Sequence, residues 1–458
     1  MRYLIGLVLA VALVAGGLFM YAGRLPGPAI EIVKPTKYVG QASPLEVAVT
    51  APGGRLSGLQ ITFEQNGKQT PLVSLAQPAS GEMKQDGTGR VRITRTIGRE
   101  AVPDLKSGPA RILVTAERPV LFGMRTARST ASHDVQVRLE KPAIAVISTK
   151  HYLNLGGSEM VVYRATPADV ESGVQVGDLK YPGYPASGAK VEGVHIADPA
   201  VKIAFIALRY DQDVNTPMFA YAKDEAGNTA RADFDRLTFP KPFKKSSIPI
   251  EDKLLDRVVP GILATTTEVN PQGSNLEKFL VLNSELRKKN AEKIASFASQ
   301  SAPEILWGGP AFHDFRNTAV ESAFADQRTY LYNGKEVDHQ THLGFDLARV
   351  VNSPILAANR GKVVYAAPLG IYGNCIIIDH GMGVQSLYGH LSSIAVQPGQ
   401  MVEKEQELGK SGMTGLAGGD HLHFTMLVNG QMVNPVEWWD AHWIQDRILR
   451  KLREASGS

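Results

Sequence analysis

Histidine is unevenly spread along this 458-residue chain: His133, His151 and His195 precede residue 300, and the other eight lie between 313 and 442. Two short motifs organise the cluster, Thr341-His342-Leu343-Gly344-Phe345-Asp346 and Gly418-Gly419-Asp420-His421-Leu422-His423-Phe424, with Leu387-Tyr388-Gly389-His390-Leu391 between them. In a strand, His421 and His423 share one face about 6.6 Å apart, so one could bind a metal while the other reaches a substrate or water. His342 and Asp346 also share a face if extended, but lie about 13 Å apart along it. Two donors on one zinc must approach to about 3 Å, so the chain has to bend between them, and Gly344 allows it. One His and one Asp from the first motif with one His from the second make a three-ligand set that leaves a position open for water, as catalytic zinc sites do. An isolated His-x-His is common in strands and carries little; the joint presence of these motifs in one region carries the metal-site reading.

These residues sit among short β-type runs. Lys362-Val363-Val364-Tyr365-Ala366, residues 375–379, Gln385-Ser386-Leu387-Tyr388 and His423–Val428 are punctuated by glycines at 361, 370, 373, 381, 383, 399 and 409. Such spacing favours an antiparallel sheet or barrel-like domain over an α/β fold. The lone cysteine, Cys375, lies in an apolar run and reads as a buried core thiol. Residues 30 to about 138 and 139 to 238 have the strand and turn texture of two β-sandwiches without obvious metal-ligand clusters. Asp252–Val259 reads as a helix ending at Pro260, and Ser274 with Glu277 forms a capping-box pair that opens a helical stretch over 275–299. A last amphipathic helix near 443–455 is expected to dock on the histidine-rich domain.

The first residues are uncharged from Leu4 to Gly23, long enough to cross a bilayer. With bulky Phe19, Met20 and Tyr21 near its end and no clean small-residue cleavage pattern, the segment reads as an uncleaved anchor rather than a removed signal. Both readings export the rest of the chain. A net charge of +4 and 21% charged residues describe a folded chain, and without zinc-finger spacing or a dense basic-aromatic stripe they nominate no nucleic acid.

Residues 338 to 436 resemble the catalytic domain of the lysostaphin-type murein endopeptidases, the LytM-like zinc metallopeptidases. The resemblance rests on His342–Asp346, Ile378-Asp379-His380-Gly381 with Gly383, Tyr388–Ser392, Gly412–Gly415, His421–Phe424 and Asn434-Pro435. It implies His342, Asp346 and His423 as ligands of one Zn²⁺, and His390 and His421 as catalytic histidines whose roles could be exchanged. The implied activity is hydrolysis of peptide cross-links or bridges of peptidoglycan. Alternative readings are a non-hydrolytic wall-binding or hydrolase-activating protein, and a zinc peptidase acting on an exported protein. Around this core, His380 is expected to order a turn or to support the ligands from behind rather than touch zinc, and His339 to sit on the rim. Arg328, Tyr330, Tyr332 and Asn333 are expected to line the groove or form a lead-in strand. Tyr388 has two open readings, site-facing or structural. Asp420 points away from the ligand set, and residues 412–415 form a tight turn.

The expected architecture is multidomain and mainly β. An N-terminal membrane anchor or signal (1–27) is followed by a β-sandwich-like domain (28–138), a second one (139–240) and a helical linker or regulatory region (241–325). An antiparallel β metallopeptidase domain (326–440) and an amphipathic helix (441–458) complete it. Expected partners are peptidoglycan stem peptides, the cytoplasmic membrane through the first helix, and a regulatory protein of the cell envelope. The expected location is the cell envelope, with an inner-membrane anchor and the catalytic domain in the periplasm or on the outer side of the membrane.

Overall fold

The computed structural model describes residues 2–52, 55–75, 82–87 and 89–457. Its chain divides into two compact units, Met1–Pro142 with Lys223–Ala230, and Ala143–Ala222 with Arg231–Ser458.

The first unit opens with helix α1, Arg2–Ala22. Its segment Tyr3–Ala22 is long and apolar enough to span a bilayer by length and composition, and its apolar window is not buried against protein. Alternating burial along Ser43–Thr50 and Gly108–Val120 then builds two sheets of four and five strands. Val47, Val49 and Ile93 from one sheet and Ile61, Phe63, Ile112 and Val114 from the other form a single core, as in a β-sandwich.

In the second unit, residues 143–222 contribute a sheet whose central strands, Ser158–Thr166 and Val201–Ala207, are buried almost throughout. The histidine-rich region builds the largest sheet. Its order is Ala319–Ser322, Phe345–Ala348, Leu422–Val428, Val384–Leu391, Asn374–Gly381, Gly361–Pro368 and Met401–Val402, with Gln431–Val433 paired beside Leu422–Val428. Every pairing along it is antiparallel, as the glycine-punctuated strands predicted.

Both faces of this sheet are covered. Cys375, Ile377, Leu387 and Leu427 pack against helices from residues 252–297, whereas Ile376, Ile378, Tyr388, Phe424 and Met426 join a core with Phe205 and Trp438. Double-sided burial explains why Cys375–Ile378 is a continuous apolar run rather than an alternating one. Cys375 is fully buried and burial raises its pKa, in keeping with a core thiol.

The helical stretch begins as its sequence indicated. Ser274 caps Asn275–Val281, accepting from the Glu277 backbone while the Glu277 side chain accepts from the Ser274 backbone. A wide turn at Leu282–Leu286 leads into helix Arg287–Ser296. Three features differ from expectation. Helix Asp252–Leu263 runs through Pro260, because burial of Val258, Val259 and Ile262 holds the last turn despite the missing proline N–H. The region read as helical also supplies a strand, Lys245–Ile250, paired in parallel with Asp326–Tyr332. Pro249 is tolerated there because the strand is the edge of its three-stranded sheet.

The third difference is the last helix, which docks on the neighbouring β domain rather than on the histidine-rich sheet alone. Ile444, Ile448 and Leu452 are fully buried, and Lys451 Nζ reaches Glu159 at 2.7 Å and the Met160 carbonyl at 2.9 Å. The Glu159–Lys451 pair is buried on both sides, which the sequence pattern could not reveal because the partners are 292 residues apart.

Candidate metal centre and cleft

Strand pairing gathers the histidines. Strand β1, Lys335–His342, ends at His342, and strand β2, Phe345–Ala348, begins directly after the two-residue Leu343-Gly344 break. Asp346 pairs across to His423 on strand β4, Leu422–Val428, and His423 pairs with Gly389 on strand β3, Val384–Leu391. His342 Nε2 lies 2.9 Å from Asp346 Oδ1 and 3.0 Å from His423 Nδ1, and His423 Nδ1 lies 3.0 Å from the same Asp346 oxygen. All three side chains are buried, and these atoms form a group able to hold one metal ion.

His342 Nδ1 faces the Ala323 carbonyl at 3.2 Å and donates to it, which leaves Nε2 turned to the carboxylate oxygen. A metal ion can take the place of the protons that otherwise bridge these atoms. Bonds of about 2.0–2.2 Å to a tetrahedral ion place donors about 3.3–3.6 Å apart, a few tenths of an ångström beyond the spacing found. The donor set, two neutral imidazoles and one carboxylate, suits a divalent metal with a position to spare.

Gly344 is needed for a reason beyond bending. A Cβ there would fall 2.5 Å from His423 Cε1 and 2.6 Å from its Nε2. Its φ is not positive, so what the glycine supplies is room for the imidazole.

Two further histidines stand over the triangle. His421 precedes His423 by the two-residue period, and its Nε2 lies 3.4 Å from Asp346 Oδ1. Its Nδ1 donates to the Gly419 carbonyl at 2.9 Å, and that of His390 donates to the Thr414 carbonyl at 2.8 Å. In both rings Nδ1 is thus committed to the backbone and Nε2 is left for the cleft, where that of His421 faces Asp346. Their centroids are 4.9 Å apart, and His390 lies 5.8 Å from His423. The 412–415 turn sets this arrangement, with Thr414 Oγ1 bridging the Asn374 N–H and the Leu391 carbonyl.

Burial pushes His423 down to about 4, and burial together with the charges of His421 and His423 holds His390 well below the usual range. For His421, burial is outweighed by the hydrogen bond and charge of Asp346, and its pKa is raised. Burial would raise the Asp346 carboxyl, yet His342 and the bonds from His421 and His423 hold it well below normal.

His390 also resolves the two readings of Tyr388. Tyr388 pairs with Phe424 on the core face, so strict alternation would send His390 there too. His390 instead has a φ of +64°, a left-handed conformation that turns its ring into the cleft. Tyr388 stays in the core, where its hydroxyl accepts from Ala358 N at 2.8 Å and meets Ser386 Oγ at 3.0 Å. His380 continues this chain, 2.7 Å from Ser386 Oγ and 2.8 Å from the Arg360 carbonyl. Asp420 bonds Ser411 and Asn352 outside the triangle, and His339 is exposed.

The cleft around the five side chains has a volume of about 520 Å³. Arg328, on the lead-in strand Asp326–Tyr332, donates from Nη2 to Asp346 Oδ2 at 2.8 Å, while Asp346 Oδ1 faces the histidines. Tyr330 lines the cleft as well, whereas Tyr332 turns its hydroxyl to Asp252 at 2.8 Å. Sequence reasoning missed Arg287 and Ala291 on the helical segment and Tyr372, whose ring stands 5.4 Å from His423. The only signal for the first two was the amphipathic stripe of that helix. The region read as a linker thus forms one wall of the cleft, and none of the cleft's lining residues comes from 143–240.

A carboxylate and an imidazole on paired antiparallel strands, joined by an imidazole from a neighbouring sheet and overlooked by two more in an open cleft, have the chemistry to hold a divalent metal beside a substrate. Residues 340–435 match the model of Peptidase family M23. The DD-carboxypeptidase/endopeptidase Mpg of Neisseria meningitidis serogroup B is 39% identical over 95 residues, 21% of this chain and 22% of that protein. The peptidoglycan DD-endopeptidase ShyA of Vibrio cholerae is 38% identical over 96 residues, again 21% of this chain and 22% of that protein. A solved structure described as a putative peptidase M23 from Pseudomonas aeruginosa aligns over 63% of this chain and 95% of its own, with 19% identity and a TM-score of 0.38. The chain spans about a fifth of the length of these curated relatives.

Proposed function

We propose that this protein is a membrane-anchored, zinc-dependent endopeptidase that hydrolyses peptide cross-links of bacterial peptidoglycan. The observation that carries the reading is the triangle of His342 Nε2, Asp346 Oδ1 and His423 Nδ1, no side longer than 3.0 Å, beneath His390 and His421. The M23 domain supports peptidase chemistry, and the relatives named peptidoglycan DD-endopeptidases support the substrate. Helix Tyr3–Ala22 supports an anchor in the cytoplasmic membrane that holds the folded part on the outer side, where peptidoglycan lies.

In this reading His342, Asp346 and His423 hold the metal. Bound Zn²⁺ would supply Lewis-acid polarisation of the scissile carbonyl and a lowered pKa for water. His421, with its Nδ1–H committed to Gly419, offers Nε2 to take the proton of the attacking water. His390, fixed by Thr414 with its ring centroid 4.9 Å from that of His421, would steady the developing oxyanion or pass a proton to the leaving amine. Arg328 holds the outer oxygen of Asp346 and so presents the inner one to the metal.

Mass-resolved digestion of purified peptidoglycan by the zinc-loaded protein, with His423→Ala alongside, tests the proposal. New peptide ends that vanish in the variant support it. No new ends from zinc-replete wild type across several peptidoglycan types would refute it.

A further inference from the structure

Away from the cleft, the first unit carries a long hairpin, Gly108–Val120 paired with Arg125–Val137 through thirteen residue pairs from Gly108↔Val137 to Val120↔Arg125. Its tip is Leu121-Phe122-Gly123-Met124. Phe122 has a relative exposure of 102%, the highest of any large hydrophobic residue among those described, and Met124 is 68% exposed. Leu121 and Phe122 both have positive φ, at +50° and +54°. Non-glycine residues in that region cost about 1 kcal/mol or more each, so strained backbone here presents an aromatic ring to the solvent side.

The tip is not isolated. It lies at the end of the apolar helix α1. Ala22, Val120 and Ala127 are buried together, with Leu25 and Leu121 packed against them. The Arg125 guanidinium stacks 4.4 Å over the Phe19 ring and donates from Nη1 to the Phe19 carbonyl at 2.7 Å. That carbonyl belongs to the last turn of the helix, whose open acceptors and dipole favour a cation. The chain then leaves the helix hard against the hairpin. A Cβ at Gly23 would fall 2.5 Å from Arg125 Nη1, and one at Gly27 would fall 2.4 Å from Ser129 Oγ. Between Arg118 and Arg128 there are three arginines and no acidic residue.

We propose that this hairpin tip is a second membrane contact, with Phe122 and Met124 entering the boundary between headgroups and acyl chains of the bilayer that α1 spans. The occupant is a lipid surface because the tip is continuous with the end of a span. Phe19 and Ala22, one turn apart, both touch the hairpin, so the membrane surface at which the helix emerges meets the tip as well. The flanking arginines fit anionic phosphates, and aromatic and aliphatic side chains suit the apolar boundary. Two attachments fix the direction in which the sandwich of the first unit leaves the membrane, where a single helix would act as a swivel. This inference rests on the membrane-anchor reading of α1.

The test uses the full chain in vesicles of phosphatidylethanolamine and phosphatidylglycerol. Cys375 is the one native cysteine and is buried, so an introduced cysteine takes an environment-sensitive fluorophore selectively. Labels at Phe122→Cys, and separately at Met124→Cys to keep the aromatic ring, report on the tip. Val11→Cys reports on the middle of the span. Asn66→Cys lies at the other end of the sheet, about 40 Å along the hairpin. Nitroxide lipids labelled near the headgroup should quench the two tip probes several-fold more than the Asn66 probe, while lipids labelled deep in the chain quench the Val11 probe best. Tip probes quenched no more than the Asn66 probe, with the Val11 probe quenched, would overturn the second contact alone. An unquenched Val11 probe would overturn the anchor and this inference together.

Discussion

Gly344 and His423 are in contact so close that the glycine's missing Cβ would overlap the imidazole, at 2.5 Å from Cε1. They are brought together by the pairing of Phe345 with Phe424 and Asp346 with His423, just beyond the break that holds Gly344. Replacing Gly344 by alanine must therefore push His423 away from Asp346. Gly344→Ala is expected to weaken zinc binding by about tenfold or more, read by competition with a chromophoric chelator, while far-UV dichroism stays native. Unchanged affinity would show that the ring can shift without cost.

Arg328 makes the complementary contact, on the outer oxygen of Asp346. Arg328→Gln should release that carboxylate and lower zinc affinity by about 10–100-fold. Arg328→Lys should recover only part, since a single ammonium lacks the planar fork of the guanidinium. Equal affinities for wild type and both variants would remove Arg328 from the account.

Tyr388 tests the face assignment of its strand. Its hydroxyl receives the Ala358 N–H inside the core. Tyr388→Phe leaves that donor without its acceptor and should cost about 1–3 kcal/mol in chemical unfolding. It should leave kcat on peptidoglycan peptides unchanged. A large loss of kcat with full stability would place the hydroxyl in the chemistry instead.

Burial lowers the pKa of both His151 and His380 to about 4, and neither is in the cleft. Both stay neutral in the fold to lower pH than in the unfolded chain, where imidazole titrates near 6.5. Below about pH 6.5 the unfolded state therefore binds the extra proton, and stability falls as pH drops toward 4, levelling off beneath it. The full effect is about 3 kcal/mol per group. Unfolding free energies of wild type and His151→Gln across pH 4–7 check this, and the variant should show the shallower slope. Parallel curves would refute it.

Much of this organisation can be read in the residues, and the exceptions share a cause. The apolar start, the sandwich texture, the Ser274–Glu277 cap and the antiparallel sheet all follow from local pattern. So does the gathering of His342, Asp346, His390, His421 and His423, because the motifs lie on strands that share one sheet or border it. Local pattern failed where a distant partner decides. Helix Asp252–Leu263 continues through Pro260 because its buried face pays for the lost hydrogen bond. Period-two reasoning places His390 beside Tyr388, and one left-handed residue separates them. Lys451 finds Glu159 only through the fold, and Arg287 reaches the cleft on a helix whose sequence shows nothing beyond an apolar stripe.

The central claim is that three side chains hold one zinc and that the histidines above it carry the cleavage. The most direct measurement is bound zinc per chain alongside release of new amino termini from purified peptidoglycan, in wild type, Asp346→Ala and His421→Ala. The account predicts one zinc and cleavage for wild type, neither for Asp346→Ala, and zinc without cleavage for His421→Ala. Full cleavage by Asp346→Ala, or by His421→Ala, would contradict it.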